Sequence, residues 1–163
     1  MGPLATRALV HASANVGQQE NPIGSNWGFP VSKWIETAGG DSPEAWCAAF
    51  VYSMFDEAAH DLGIANPLPK TAGCLDMWAK AKANQVHIPQ AGDFFIMDYG
   101  NGEGHAGLIE AIDGDPGSPT DIHTIEGNSA PPRSSEAERR EGYCVCRHIQ
   151  DIPNKLIIGY LRF

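Results

Sequence analysis

Positive charge is scarce in this sequence. Eleven Lys and Arg stand against twenty Asp and Glu, giving a formal net charge of −9 and a sequence pI near 5.0. Nucleic acid is thereby excluded as the main partner, because phosphate binding needs a basic face. An anionic membrane surface is disfavoured on the same ground. No apolar run reaches the roughly 18 residues that a helical span needs, so membrane insertion is not expected. Met1–Glu20 holds one Arg and no long apolar stretch, and does not read as a secretory signal. Cysteines number four, few for a disulfide scaffold of this size. Internal repeats and low-complexity linkers are lacking. What is there is globular: 42% hydrophobic and 19% charged over 163 residues. That is one domain, 1–163, long enough for a real core, and it is expected to be a monomer.

Helical patterns come first along the chain. Leu4–Glu20 reads as a helix with Leu4, Ala8, Leu9, Ala12 and Val16 on one stripe. A second helix follows Pro30, with Val31, Trp34 and Ile35 inward and Gly39-Gly40 at its end. The third, Cys47 to Leu62, repeats Phe50, Val51, Met54, Phe55, Ala58 and Leu62 at intervals of three and four, and Gly63 is placed to end it. Asp41 or Ser42 is expected to cap it, with Pro43 in the first turn. Leu75, Trp78 and Ala79 mark a fourth, short helix that fades by Asn84.

After Pro89 strand patterns take over. They cover Asp93–Asp98, His105–Ile112, Ile122–Glu126, Tyr143–Ile149 and Leu156–Phe163. Tyr99–Gly104 is a hairpin connection, Asp113–Pro119 a loop, and Ser129–Glu141 a long surface loop. Helices first and a strand meander second predict an α+β fold, with N-terminal helices packed on an antiparallel sheet of about five strands.

Cys47 falls at the start of the third helix, where unpaired N–H groups and the helix dipole favour an anion. Such a place lowers a thiol pKa and makes a thiolate available near neutral pH. The competing reading is a buried core cysteine. A nucleophilic cysteine needs a base, and the base needs an orienting group. Among six histidines His105 stands out, because it begins a strand after Gly102-Glu103-Gly104, with Ala106-Gly107 leaving room for a helix end. An ordinary surface histidine is the alternative.

If strands 105–112 and 121–126 pair antiparallel and meet at Ile112 and Asp121, Glu126 lies near His105 and can accept from its ring N–H. Otherwise Glu126 is a solvated strand-end carboxylate. Asn128 either joins this cluster or shapes a turn. Trp46 either lines a substrate cleft or packs in the core. Asp93 reads as a turn cap, Cys74 as a buried thiol, and Arg139-Arg140 as a solvated face. Cys144-Val145-Cys146 is read as directing its two thiols to opposite sides of a strand, and all four cysteines as free. Asp113-Gly114-Asp115 falls short of a calcium loop.

Five blocks, in order, resemble the CHAP family of cysteine, histidine-dependent amidohydrolases and peptidases, relatives of the NlpC/P60 peptidases with a papain-like core. They are Glu20–Gly28, Pro43–Val51 around Cys47, Pro89–Asp93, Gly104–Ile109 around His105 with Ala106 where valine is more usual, and Thr124–Ser129 around Glu126. Arg147 and Gly159–Arg162 are similar to the closing strands, so the resemblance runs from about residue 16 to the end. It implies an NlpC/P60-like fold and a triad of Cys47 as nucleophile, His105 as base then acid, and Glu126 as orienting group. Asn128 fits as an auxiliary polar residue; Trp46, beside Cys47, is the substrate-side candidate from the residues themselves, with a core role as its alternative. The backbone N–H of Cys47 would serve as an oxyanion donor.

The chemistry implied is acyl transfer through a thiol acyl-enzyme, without cofactor or metal. The implied substrate is bacterial peptidoglycan, cut at the N-acetylmuramoyl–L-alanine amide or within the stem peptide or cross-bridge. A non-wall peptide or small-molecule amide is the alternative substrate, and a non-catalytic binding module the alternative class. The expected place of action is the bacterial wall or periplasm. Absence of a signal segment suggests delivery by phage, secretion machinery or lysis, and an immunity or inhibitor protein is a conceivable partner.

Overall fold

A computed structural model describes residues 1–163. Four helices precede the sheet: α1 (Pro3–Ala14), α2 (Val31–Ala38), α3 (Cys47–Leu62) and α4 (Cys74–Lys80). Six strands follow: β1 (Gln85–Val86), β2 (Phe94–Gly100), β3 (Glu103–Asp115), β4 (Ser118–Ser129), β5 (Cys144–Asp151) and β6 (Ile157–Leu161), with α5 (Glu136–Glu141) between β4 and β5. The sheet is antiparallel in the order β1-β6-β2-β3-β4-β5. The architecture is the α+β arrangement predicted, with six strands rather than five. The extra one, β1, is two residues long, too short to leave a period in the sequence.

The core forms because helix and strand periods agree on what to bury. Along β2, Phe94 and Ile96 face the helices while Phe95 and Met97 face away. The helix-side core gathers Trp34, Trp46, Phe50, Met54, Phe55, Leu108, Ile125 and Val145. A smaller cluster of Phe95, Met97, Ile109, Ile122 and Tyr160 covers the opposite face. The central helix α3 has the predicted bounds and stops at Gly63, which is left-handed at φ 65°. Phe55 ties it to the sheet, edge-on to Phe94 and Phe163 with ring centroids 5.8 and 6.4 Å apart.

Several expectations are corrected. The first helix ends at Ala14, not Glu20, because residues 17–20 leave it to pair with the start of β5: Gly17 N–H donates to Val145 O, Val145 N–H to Gln18 O, and Glu20 N–H to Tyr143 O. The α3 N-cap is Trp46, without a side-chain cap, so neither Asp41 nor Ser42 holds it. The supposed loop 113–119 is mostly ribbon, since β3 and β4 stay paired out to Asp115 and Ser118 and turn through two residues. Within the 129–141 loop, Ser135 and Glu138 form a capping box that starts α5. The thiols of Cys144 and Cys146 are not free. Residues two apart on a strand share a face, and these two, with Cα atoms 6.0 Å apart, form a disulfide.

Removing Phe55 would empty the junction of α3, β2 and the C-terminal Phe163. Phe55→Ala is expected to destabilise the fold by about 3–5 kcal/mol. Urea unfolding followed by circular dichroism checks this through a lowered midpoint at unchanged slope.

Candidate active site

Sheet register brings the imidazole and its carboxylate together. His105 pairs with Met97 across β2 and β3, and Ile125 pairs with Leu108 across β3 and β4. Glu126 is therefore beside Gly107, on the same sheet face as His105. The strands meet as Ile112 with Ile122 and Asp113 with Asp121, one residue from the expected register. His105 Nε2 and Glu126 Oε2 are 2.8 Å apart. The imidazole also rests on Phe95, ring centroids 5.8 Å apart. A Cβ at Gly107 would lie 2.6 Å from Glu126 Cγ and 2.7 Å from the Phe95 ring. The space at Gly107 thus seats the carboxylate rather than a helix end, as the sequence had suggested.

Glu126 is almost entirely buried and every oxygen is occupied. Thr124 Oγ1 donates to Oε1 at 2.6 Å and Gln150 Nε2 donates to the same oxygen at 3.0 Å. Burial pushes this carboxyl up, but the hydrogen bond and charge of His105, the charge of His148 and the Thr124 hydroxyl outweigh it and hold the group down to about 2. Neither Thr124 nor Gln150 stood out in the sequence. Only strand alternation on β4 and β5, read together with the register, would have found them.

Cys47 is the first residue of α3 and is free. The backbone N–H groups of Ala106, next to His105 on β3, and of Ala48 favour its ionised form. Cys47 lines an open groove of about 830 Å³ together with Cys74, Tyr99, His105, Glu126 and Asn128. With His105 Nε2 committed to Glu126, Nδ1 is the ring nitrogen left for a thiol.

The expected depressed Cys47 pKa is corrected. A hydrogen bond with Cys74, then burial, then the Cys74 charge, push the Cys47 thiol well above its usual range. Two adjacent sulfurs ionise one at a time. The Cys74 thiol is lowered to about 7, first by the hydrogen bond from Cys47 and further by the His105 charge, although burial opposes it. Cys74 was read as a buried thiol. It is buried and free as read, and it starts α4 as Cys47 starts α3.

Trp46 is also corrected. It is fully buried, 5.5 Å from Trp34 between ring centroids, and its Nε1–H donates to the buried Glu20 Oε1 at 2.8 Å. It supports the start of α3 from beneath and does not line the groove. Asn128 lines the groove but has no bond to the imidazole. Its Oδ1 accepts from Trp46 N–H at 3.3 Å, and its backbone is left-handed at φ 51°. Asp93 accepts from Gln90 N–H and pairs with Arg162, the turn role expected of it. The predicted solvated pair Arg139-Arg140 is exposed and also lines the groove, together with Asp76 and Glu103. Asp113 is engaged by His123 at 2.9 Å.

Residues 38–128, more than half the chain, match the family described as CHAP domain. The crystal structure of Ly7917 shares the fold: TM-score 0.54 at 18% identity, over 96% of this chain and 61% of that one. The chain thus spans less than two thirds of that structure. No curated protein matches the sequence.

The low Glu126 pKa has a stability consequence with a definite sign. A carboxyl held below its unfolded value contributes stability above about pH 4.5 and loses it as pH falls towards 2. Thermal midpoints are expected to drop through that window. In Glu126→Gln the drop should be shallower, which scanning calorimetry across pH measures.

Proposed function

The chain belongs to the CHAP family, cysteine- and histidine-dependent amidohydrolases and peptidases, and from that premise we propose that it is a peptidoglycan hydrolase. It cuts an amide of the wall through a Cys47 acyl-enzyme, at the N-acetylmuramoyl–L-alanine bond or within the stem peptide or cross-bridge. The observation that carries this reading is the 2.8 Å bond of His105 Nε2 to a buried Glu126 in the groove that also holds Cys47.

Each group has a role that its chemistry suits. Glu126 fixes the ring so that Nδ1 is the free nitrogen, and favours the imidazolium that forms during reaction. The Cys47 thiol begins protonated, so attack on the amide carbonyl is coupled to proton transfer onto His105 Nδ1. The first backbone N–H groups of α3 receive the oxyanion. His105 then protonates the leaving amine and activates the water that releases the acyl group.

The groove suits a zwitterionic peptide, since Arg139 and Arg140 line it together with Asp76 and Glu103. The net charge of −9 favours a second reading, because it opposes approach to an anionic wall. On that reading the substrate is a soluble peptide or small amide handled by the same triad.

Cys47→Ala and His105→Ala are expected to abolish digestion of purified sacculi while circular dichroism remains native. Glu126→Gln should lower kcat by about 10²-fold or more with a smaller change in KM. Mass spectrometry of the released fragments names the bond through its new amine and carboxyl ends. Undiminished digestion by Cys47→Ala would overturn the nucleophile, and intact sacculi beside cleaved soluble amides would favour the second reading.

A further inference from the structure

Core packing does not account for helix α5. None of its residues is buried, yet both of its ends are fixed. The Ser135–Glu138 capping box holds the start. The far end is fastened to β4, where Tyr143 N–H donates to Ser129 O at 2.7 Å. Gly142 lies so close to Asn128 that a Cβ there would overlap the Asn128 carbonyl oxygen. Asn128 and Ser129 follow closely on Glu126, so the helix is tied to the strand that carries the buried carboxylate. With strands in the order β2-β3-β4, α5 flanks the groove from β4, while α4 lies against β2 and β3.

What α5 brings to the groove is positive charge. Arg139 and Arg140 are the only Lys or Arg side chains that line it, in a chain of net charge −9. Arg140 is drawn to Glu136, 3.3 Å away on the same helix, whereas Arg139 pairs with no carboxylate. Neighbouring acidic groups face elsewhere. Glu44 Oε1 lies against Gly40, and Glu141 Oε1 reaches towards Gly24, 3.6 Å from where a Cβ would stand. Asn128 adds a neutral donor. Its Oδ1 is taken by Trp46 N–H, which leaves Nδ2 for the groove. The Ser129 hydroxyl beside it is already engaged by His148 Nε2 at 2.8 Å.

We propose that Arg139, assisted by Asn128 Nδ2, forms a carboxylate subsite, so that the groove selects peptides carrying a free carboxylate near the amide they present to Cys47. The anion preference belongs to the groove itself; that the bound peptide is then cut rests on the reading of the site as an amidohydrolase. A guanidinium offers a planar fork that matches a carboxylate with two parallel N–H bonds. Within a groove such a pair is screened less than on open surface. The preference is compatible with the chain's overall negative charge. Charges further away than the Debye length, about 8 Å at physiological salt, are largely screened, whereas Arg139 acts at contact. Arg139 is a specificity residue in this scheme and takes no part in proton transfer.

The test measures binding by calorimetry to the full chain carrying Cys47→Ala, with three probes. One is a wall stem peptide with its internal and C-terminal carboxylates both free. The others are the same peptide amidated at the internal carboxylate, and at the C-terminal one. One of the two amidations is expected to weaken binding about tenfold, and thereby to name the carboxylate that the subsite takes. Adding Arg139→Gln should cost the unamidated peptide the same factor and abolish the difference. Arg139→Lys should restore part of it, since the charge returns without the fork. Circular dichroism checks that each variant is folded. Equal binding of the three peptides, no binding of any, or a difference that survives Arg139→Gln would overturn the subsite. Cleavage of all three by the wild type at one rate would overturn it too, and leave the amidohydrolase reading intact. A carboxylate preference in a protein that cuts neither these peptides nor sacculi would keep the subsite and remove the wall-hydrolase reading instead.

Discussion

A carboxylate removed from water must have its oxygens occupied, and in this protein that condition falls on Glu126. His105 occupies one oxygen, and Thr124 and Gln150 the other. The three partners come from β3, β4 and β5, so the charge is tolerated only when those strands keep their present register. A slip of one residue between β3 and β4 would send His105 and Glu126 to opposite faces. It would leave the buried charge unpaired, a far larger penalty than one lost surface contact. The same bonds that make Glu126 acceptable therefore lock the sheet and aim the imidazole.

The start of α3 is the second part of the site, and it is supported from below. Trp46 is packed against Trp34, its indole N–H is taken by Glu20, and its backbone N–H by Asn128. Glu20 also accepts from the N–H groups of Gly24 and Asn26, so the 20–26 loop is fastened to the same point. Cys47 inherits its position from a neighbour that never meets solvent. Sulfur at such a helix start would ordinarily ionise early. Here Cys74 and burial push the Cys47 thiol up instead, while the Cys74 thiol is lowered to about 7.

The bounds of α3 and the meeting of His105 with Glu126 were legible because they rest on local signals. The 3.6-residue period and Gly63 define α3, and the glycines around His105 mark a strand that approaches others closely. Errors arose where a local rule met a distant partner, or was misapplied. Residues 15–20 have helical spacing but are drawn into pairing with β5. Trp46 stands next to Cys47, and adjacency suggested a substrate contact, yet the core claimed its ring. Cys144 and Cys146 were assigned to opposite faces although a period of two puts them on one. The capping box at Ser135 and Glu138 was present as S-x-x-E and was passed over inside a polar run.

The amino-acid order alone determined the fold class, the third helix with Cys47 at its start, and a histidine and a glutamate placed to meet. Those features follow from periodicity and turn chemistry, which act within a few residues. Tertiary structure alone decided that Thr124 and Gln150 complete the carboxylate's partners, that Trp46 lies beneath the site, and that Cys74 lines the same groove as Cys47. Each of these joins side chains from different helices or strands. Their distances depend on how the sheet registers and how the helices seat on it, and no short-range pattern carries that information.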